Sequence, residues 1–162
     1  MKTLFLLRHA KSSWNDERLQ DFDRQLNSRG RKAAESIAGF MNQKKVAPEL
    51  VLSSPAIRAR ETIDIVYKAA RLRSELRYDQ RIYDAGPLRL LEVISEVEED
   101  KNRVLLVGHN PGLEGLLEIL AESAEHMATC SLARIDFKVT KWNKVLEAKG
   151  TLEWIVKPKE LA

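Results

Sequence analysis

The stretch TLFLLRHAKSSWN, residues 3–15, sets the reading of the whole chain. Residues 3–7 are a continuous apolar run, the pattern of a strand covered on both faces in a parallel sheet. The run stops without a glycine on Arg8 and His9, and small polar residues follow. Desolvating a guanidinium and an imidazole costs free energy, so their place at the end of a buried strand points to a task.

The same grammar recurs twice. In ELVLSSP, residues 49–55, a second strand ends on Ser53 and Ser54. Ser54 and Pro55 read as the N-cap and first residue of a helix with Ala59, Ile63, Val66 and Ala70 on its apolar face. In RVLLVGHNPG, residues 103–112, a third buried strand ends on Gly108 and His109. Asn110 then reads as a cap, Pro111 as the first helical residue, and Leu113, Leu116, Leu117 and Leu120 as the buried stripe. Between these segments, a polar loop runs to about Asn27. Ala33, Ala34, Ile37, Ala38 and Met41 predict a helix starting near Ser28, and Leu88, Leu91, Ile94 and Val97 predict another. SLARIDFKV (131–139) and TLEWIVK (151–157) alternate or nearly so, predicting two strands antiparallel to each other that complete the sheet. The expected fold class is α/β, a three-layer α/β/α sandwich around a mostly parallel mixed sheet. A length of 162 residues suits a single domain, 1–162, with one sizeable core.

Composition excludes several classes. At 44% hydrophobic and 31% charged, the chain has the make-up of an ordinary soluble globular protein. A net charge of +3 is spread rather than blocked, and the few aromatics do not interleave with basic residues, so nucleic acid is not expected as a partner. Lys2 precedes an apolar run, but Arg8 ends it too early for a signal peptide, and no run reaches the roughly 18 to 20 apolar residues of a membrane span. Cys130 is the only cysteine, which rules out an internal disulfide or a cysteine zinc site and fits a reducing cytoplasm. His9, His109 and His126 lack any close metal-ligand spacing, so neither metal nor cofactor is expected.

In open α/β sheets, ligands bind beyond the carboxyl ends of parallel strands. Arg8 and His9, Ser53 and Ser54, and Gly108 and His109 all fall at that edge, and adjacent strands lie about 4.8 Å apart. With Arg58 in the first turn of the second helix, they would converge on a group the size of a phosphate. Guanidinium forks match phosphate oxygens, and two helix amino termini add backbone donors. Taken singly, Arg58 reads as a solvated surface charge and His109 as a structural group. Their combination makes an anion site.

The ordered motifs LRHAKSSWN, SSPAIRARET and VGHNPG resemble those of the histidine phosphatase superfamily, with its phosphoglycerate mutase-like fold. They are most similar to its short branch, the SixA-type phosphohistidine phosphatases, over nearly the whole chain. The resemblance implies that His9 is the nucleophile, that Arg8 and Arg58 hold the phosphate, and that His109 contacts it, drawn as an imidazolium. Asn15 falls where related enzymes place a phosphate-contacting asparagine. DFDRQL resembles an Asp-x-x-Arg-Pro-Leu stretch, with Gln25 where proline is common, which makes Arg24 a substrate-binding candidate. Asp84 in RIYDAGP is the candidate general acid, against the plainer role of capping the helix near Pro87. The implied activity is cofactor-independent hydrolysis, with phosphohistidine in a signalling protein as substrate and a monomer or weak oligomer as the working form. Alternatives are a phosphatase of small phosphate esters, a phosphoglycerate mutase-type isomerase, for which a lid-sized insertion is missing, and a catalytically silent phosphate-binding scaffold. Arg8 and Arg58 are expected to push the His9 pKa down, and its second ring nitrogen to need a fixed acceptor such as a backbone carbonyl.

Overall fold

The computed structural model describes residues 1–161. Its strands are β1 (Lys2–Arg8), β2 (Leu50–Ser53), β3 (Glu75–Tyr78), β4 (Arg103–Gly108), β5 (Leu132–Phe137) and β6 (Thr151–Val156). They form one sheet in the order β3-β2-β4-β1-β5-β6. β1, β2, β3 and β4 run parallel, while β5 is antiparallel to β1 and β6 to β5. The helices are α1 (Ser28–Gln43), α2 (Ile57–Ala69), α3 (Pro87–Ser95), α4 (Gly112–Ala121) and the short α5 (Val145–Ala148).

β1 reads as unbroken apolar sequence because both of its faces are covered. Leu4 and Leu6 pack into one layer with Leu90 and Val93 of α3 and Leu113, Leu116 and Leu117 of α4. Phe5 and Leu7 pack into the other with Ile37 and Met41 of α1 and Ile63 and Val66 of α2. The three-layer α/β/α sandwich and mixed sheet expected from the sequence are the observed architecture.

Local details differ from the sequence reading. β3 was not anticipated, because ELRY carries no apolar run: it is an edge strand whose Arg77 pairs with Glu75 and Glu98 instead of entering the core. α2 begins at Ile57 behind Ala56, not at Pro55: the Ser54 hydroxyl accepts from the Ala56 amide at 3.2 Å, ahead of the first turn, and also lies 2.7 Å from His109 Nε2. α4 likewise starts one residue late, with Pro111 in the cap position. The Asn110 amide donates instead to Glu114 Oε2 and the Met127 carbonyl. Leu88 is 70% exposed and does not join the α3 stripe, whereas Val97 is buried just beyond the helix end.

Two glycines bring backbone segments together around the carboxyl edge of the sheet. A Cβ on Gly30 would lie 2.1 Å from the Lys11 carbonyl oxygen, so only glycine lets α1 press against the loop leaving β1. A Cβ on Gly112 would lie 2.3 Å from the Ala85 carbonyl oxygen, and its absence seats the Tyr83–Ala85 segment on the start of α4.

Candidate active site

β1 delivers His9 to the sheet edge through a backbone that is tied on both sides. The His9 amide donates to the Gly108 carbonyl at 3.1 Å, and the Cys130 amide donates to the carbonyls of Arg8 and His9, each at 3.1 Å. One residue on, the Ala10 amide donates to Thr62 Oγ1 at 2.9 Å, and that hydroxyl donates to the Arg58 carbonyl at 2.7 Å. Thr62 thus clamps α2, and with it Arg58, to the loop behind His9. Thr62 closes the SSPAIRARET motif, but its role was hidden there, since it depends on a contact 52 residues away.

The imidazoles of His9 and His109 lie with ring centroids 5.0 Å apart, and both are nearly buried. His9 Nδ1 lies 2.7 Å from the Ala10 carbonyl, the backbone acceptor that was expected. A carbonyl only accepts, so Nδ1 carries the proton and Nε2 keeps the lone pair. Arg58 Nε is directed at Nε2 from 3.4 Å. Burial is the main reason the His9 pKa falls to about 3, opposed by the Ala10 hydrogen bond, with smaller contributions from His109, Arg58 and Arg8. The cations therefore assist a neutral His9 rather than cause it. His109 drops to about 4, again first by burial and then by Arg58, so it is a neutral imidazole near pH 7, not the imidazolium drawn from the resemblance.

Asp21 was overlooked in the sequence, although it stands in DFDRQL. It opens a single 3-10 turn, Asp21–Asp23. Its carbonyl accepts from Arg58 Nη1 at 2.7 Å, and its Oδ2 accepts from Arg58 Nη2 at 3.0 Å and the Tyr83 hydroxyl at 2.7 Å. Oδ1 accepts from Arg24 Nε at 3.2 Å. Burial works against ionisation of Asp21, but the hydrogen bonds from Tyr83 and Arg58 outweigh it and hold the carboxyl at about 2. Arg24 also donates to Ser12 Oγ at 2.6 Å and stacks over Trp14 at 3.5 Å. The Tyr83 ring meets His109 edge-on at 5.6 Å.

A cavity of about 350 Å³ opens here, lined by Asp21, Arg58, Tyr83, Asp84, His109 and Asn110 among others. Arg8 stands beneath the site, its Nη1 donating to the Met127 carbonyl at 3.0 Å. Arg8 Nε and His109 Nδ1 are buried without a hydrogen-bond partner among the described residues. Arg8, His9, Arg58 and His109 therefore come together, Arg24 joins them through Asp21, and Asp84 lines the cavity wall. Asp84 does not cap α3, whose N-cap is Gly86 with no side-chain cap bond. Asn15 is exposed, and only its backbone amide is engaged, with Ser13 Oγ at 3.1 Å. His126 lies on the surface beside Glu114.

Comparison with known proteins decides the lineage. The sequence pattern of the histidine phosphatase superfamily (branch 1) matches residues 4–88. An uncharacterized protein of Mycobacterium tuberculosis is 35% identical over 115 residues, spanning 71% of this chain and 70% of that protein. The chain belongs to the histidine phosphatase superfamily. Within that superfamily its fold is similar to a structure from Agrobacterium tumefaciens named for the phosphohistidine phosphatase SixA. That match has 30% identity and a TM-score of 0.84 over 97% of this chain and 98% of the other. A protein histidine phosphatase SixA complexed with tungstate shares the fold at 23% identity, with a TM-score of 0.82 and 99% of each chain covered. Histidine phosphatase membership and the SixA-like fold together support a phosphatase.

Proposed function

We propose that this protein is a phosphatase that works through a phosphohistidine at His9 and takes protein phosphohistidine as substrate. The observation that carries the reading is the tautomer lock: Nδ1 is committed to the Ala10 carbonyl, which leaves the Nε2 lone pair facing Arg58. In the first step Nε2 forms a bond to phosphorus while the bond from phosphorus to the substrate nitrogen breaks, and that nitrogen gains a proton. In the second, a water oxygen attacks phosphorus, the His9–phosphorus bond breaks, and orthophosphate leaves. Arg8, Arg58 and His109 face the transferring oxygens, where donors placed in advance stabilise the transition state. The buried Arg8 Nε, without an acceptor of its own, supports that role. Arg24 orients this group through Asp21 and belongs to the substrate-binding set, whereas Asn15 has no contact that supports one.

Asp84 is the carboxylate assigned to protonate the leaving group, from its place on the cavity wall. A small phosphate ester would fit the cavity as well, and the choice between substrates rests on likeness to SixA-named structures. The reading treats residues 1–162 as a single domain. It is tested by rapid quench after incubation with a labelled phosphodonor: acid-labile, base-stable label is expected on the wild type and none on His9→Ala. Equal labelling of both would overturn it. Turnover compared on a phosphohistidine protein and on small sugar phosphates tests the substrate class, and orthophosphate as main product distinguishes hydrolysis from an isomerase.

A further inference from the structure

At the opposite end of the sheet from His9, the face that carries Phe5 is only partly covered. α1 stops at Gln43 and the chain turns away through Lys45, whose φ is 56°. A cavity of about 490 Å³ remains, lined by Phe5, Phe40, Lys44, Lys45, Arg134 and Trp154 among others. Its floor follows strand register: Phe5 pairs with Arg134, and Arg134 with Trp154. Trp154 meets Phe40 edge-on at 5.2 Å and Phe5 at 6.2 Å, so three rings share one wall.

Arg134 lies with its guanidinium 6.0 Å from the Phe5 ring centroid, a cation over an aromatic face, and its side chain stays 38% exposed. Asp136 holds it through Nε at 3.1 Å and Nη2 at 3.2 Å, which leaves Nη1 without a partner among the described residues. Lys44 and Lys45 are exposed at the rim, and neither forms an ion pair among the described residues. Arg103, also in the lining, has Glu49 at 3.9 Å. The cavity thus combines an aromatic wall with an excess of positive charge. Its volume lies in the range of small-molecule sites and is too small for a peptide helix. A bare anion would leave the rings unused, and a neutral ring would leave the cations unanswered.

We propose that this trough is a second binding site, separate from the His9 cavity, for an aromatic anion of mononucleotide size. The base lies against the partly exposed rings of Phe40 and Trp154, and the phosphate reaches Arg134 Nη1 and the two lysines. Titration of Trp14→Phe protein with AMP, followed by tryptophan fluorescence, tests it, since the remaining signal comes from Trp154 in the trough and from Trp142, which is buried in the opposite layer away from any ligand there. Saturable quenching by AMP is expected, with adenosine at least tenfold weaker and inorganic phosphate silent. Lys44→Glu combined with Lys45→Glu, both surface changes, should weaken AMP at least tenfold with phosphatase turnover unchanged. Arg58→Ala should leave the quenching intact. Absence of saturable quenching, indifference to the lysine changes, or loss of the signal in Arg58→Ala would each overturn the proposal, the last by moving the nucleotide to the His9 cavity.

Discussion

The nucleophile proposed at His9 is a buried imidazole that needs no strong base beside it. Desolvation removes its proton, one carbonyl selects the tautomer, and an arginine faces the free nitrogen. With a pKa of about 3, His9 should still accept label from a phosphodonor near pH 4.5, where a histidine of ordinary pKa 6.5 is almost wholly protonated. Labelling that vanishes below about pH 6 would contradict the burial argument. Asp21 makes a second prediction at this scale. Its carboxylate accepts from Arg58 Nη2, Arg24 and Tyr83, so Asp21→Ala, which keeps only the backbone carbonyl's bond to Arg58 Nη1, should cut kcat/KM by about tenfold or more, as loss of a charge-assisted hydrogen bond of roughly 1.5 kcal/mol or more implies. Asp21→Asn, which keeps an acceptor, should retain more activity and shift KM less. Arg8, His9 and His109 were legible because they sit at strand ends in recognisable motifs, and Arg58 because it follows one such end in the first turn of α2. Asp21, Thr62 and Tyr83 were not, because their partners come from other motifs and only the fold introduces them.

The elements were read best where both faces are buried and worst where solvent or a site competes for the side chains. β1 and β4 stand out in the sequence as apolar runs, while β3 is hidden by its charged edge residues. Both helix starts near the site fall later than expected: Ser54 shares its hydroxyl between His109 and the Ala56 amide, and Asn110 gives its side chain to Glu114 and the Met127 carbonyl. The glycine approaches carry the next prediction. Gly112→Ala would set a methyl against the Ala85 carbonyl and force the Tyr83–Ala85 segment away from α4. An overpacked core contact of that kind costs about 1–3 kcal/mol, so a lower Tm and reduced turnover are expected together. Gly39→Ala, an exposed position inside α1 with nothing within 4 Å of the added Cβ, should instead raise the Tm slightly, since alanine is the better helix former.

For the molecule as a whole, the two site histidines tie stability to acidity. Both have pKa values depressed below the ordinary 6.5, to about 3 and about 4, so below pH 6.5 the unfolded chain binds more protons than the folded one. Stability from this source is complete above pH 6.5 and falls as the pH drops toward 4, by about 1.4 kcal/mol per pH unit for each group. Tm measured from pH 7 to pH 4.5 should decline, and His109→Asn should flatten the slope. The overall architecture was legible from the spacing of apolar residues, but the strand order was not, since periodicity says what is buried and not beside what. That order has a bearing on biosynthesis. β1 is flanked by β4 and β5, so it emerges from the ribosome long before either neighbour has been translated. Its greasy segment must wait, unpaired, for most of the polypeptide to follow. Such distant pairing slows folding and exposes the nascent chain to aggregation, a hazard that chaperones relieve.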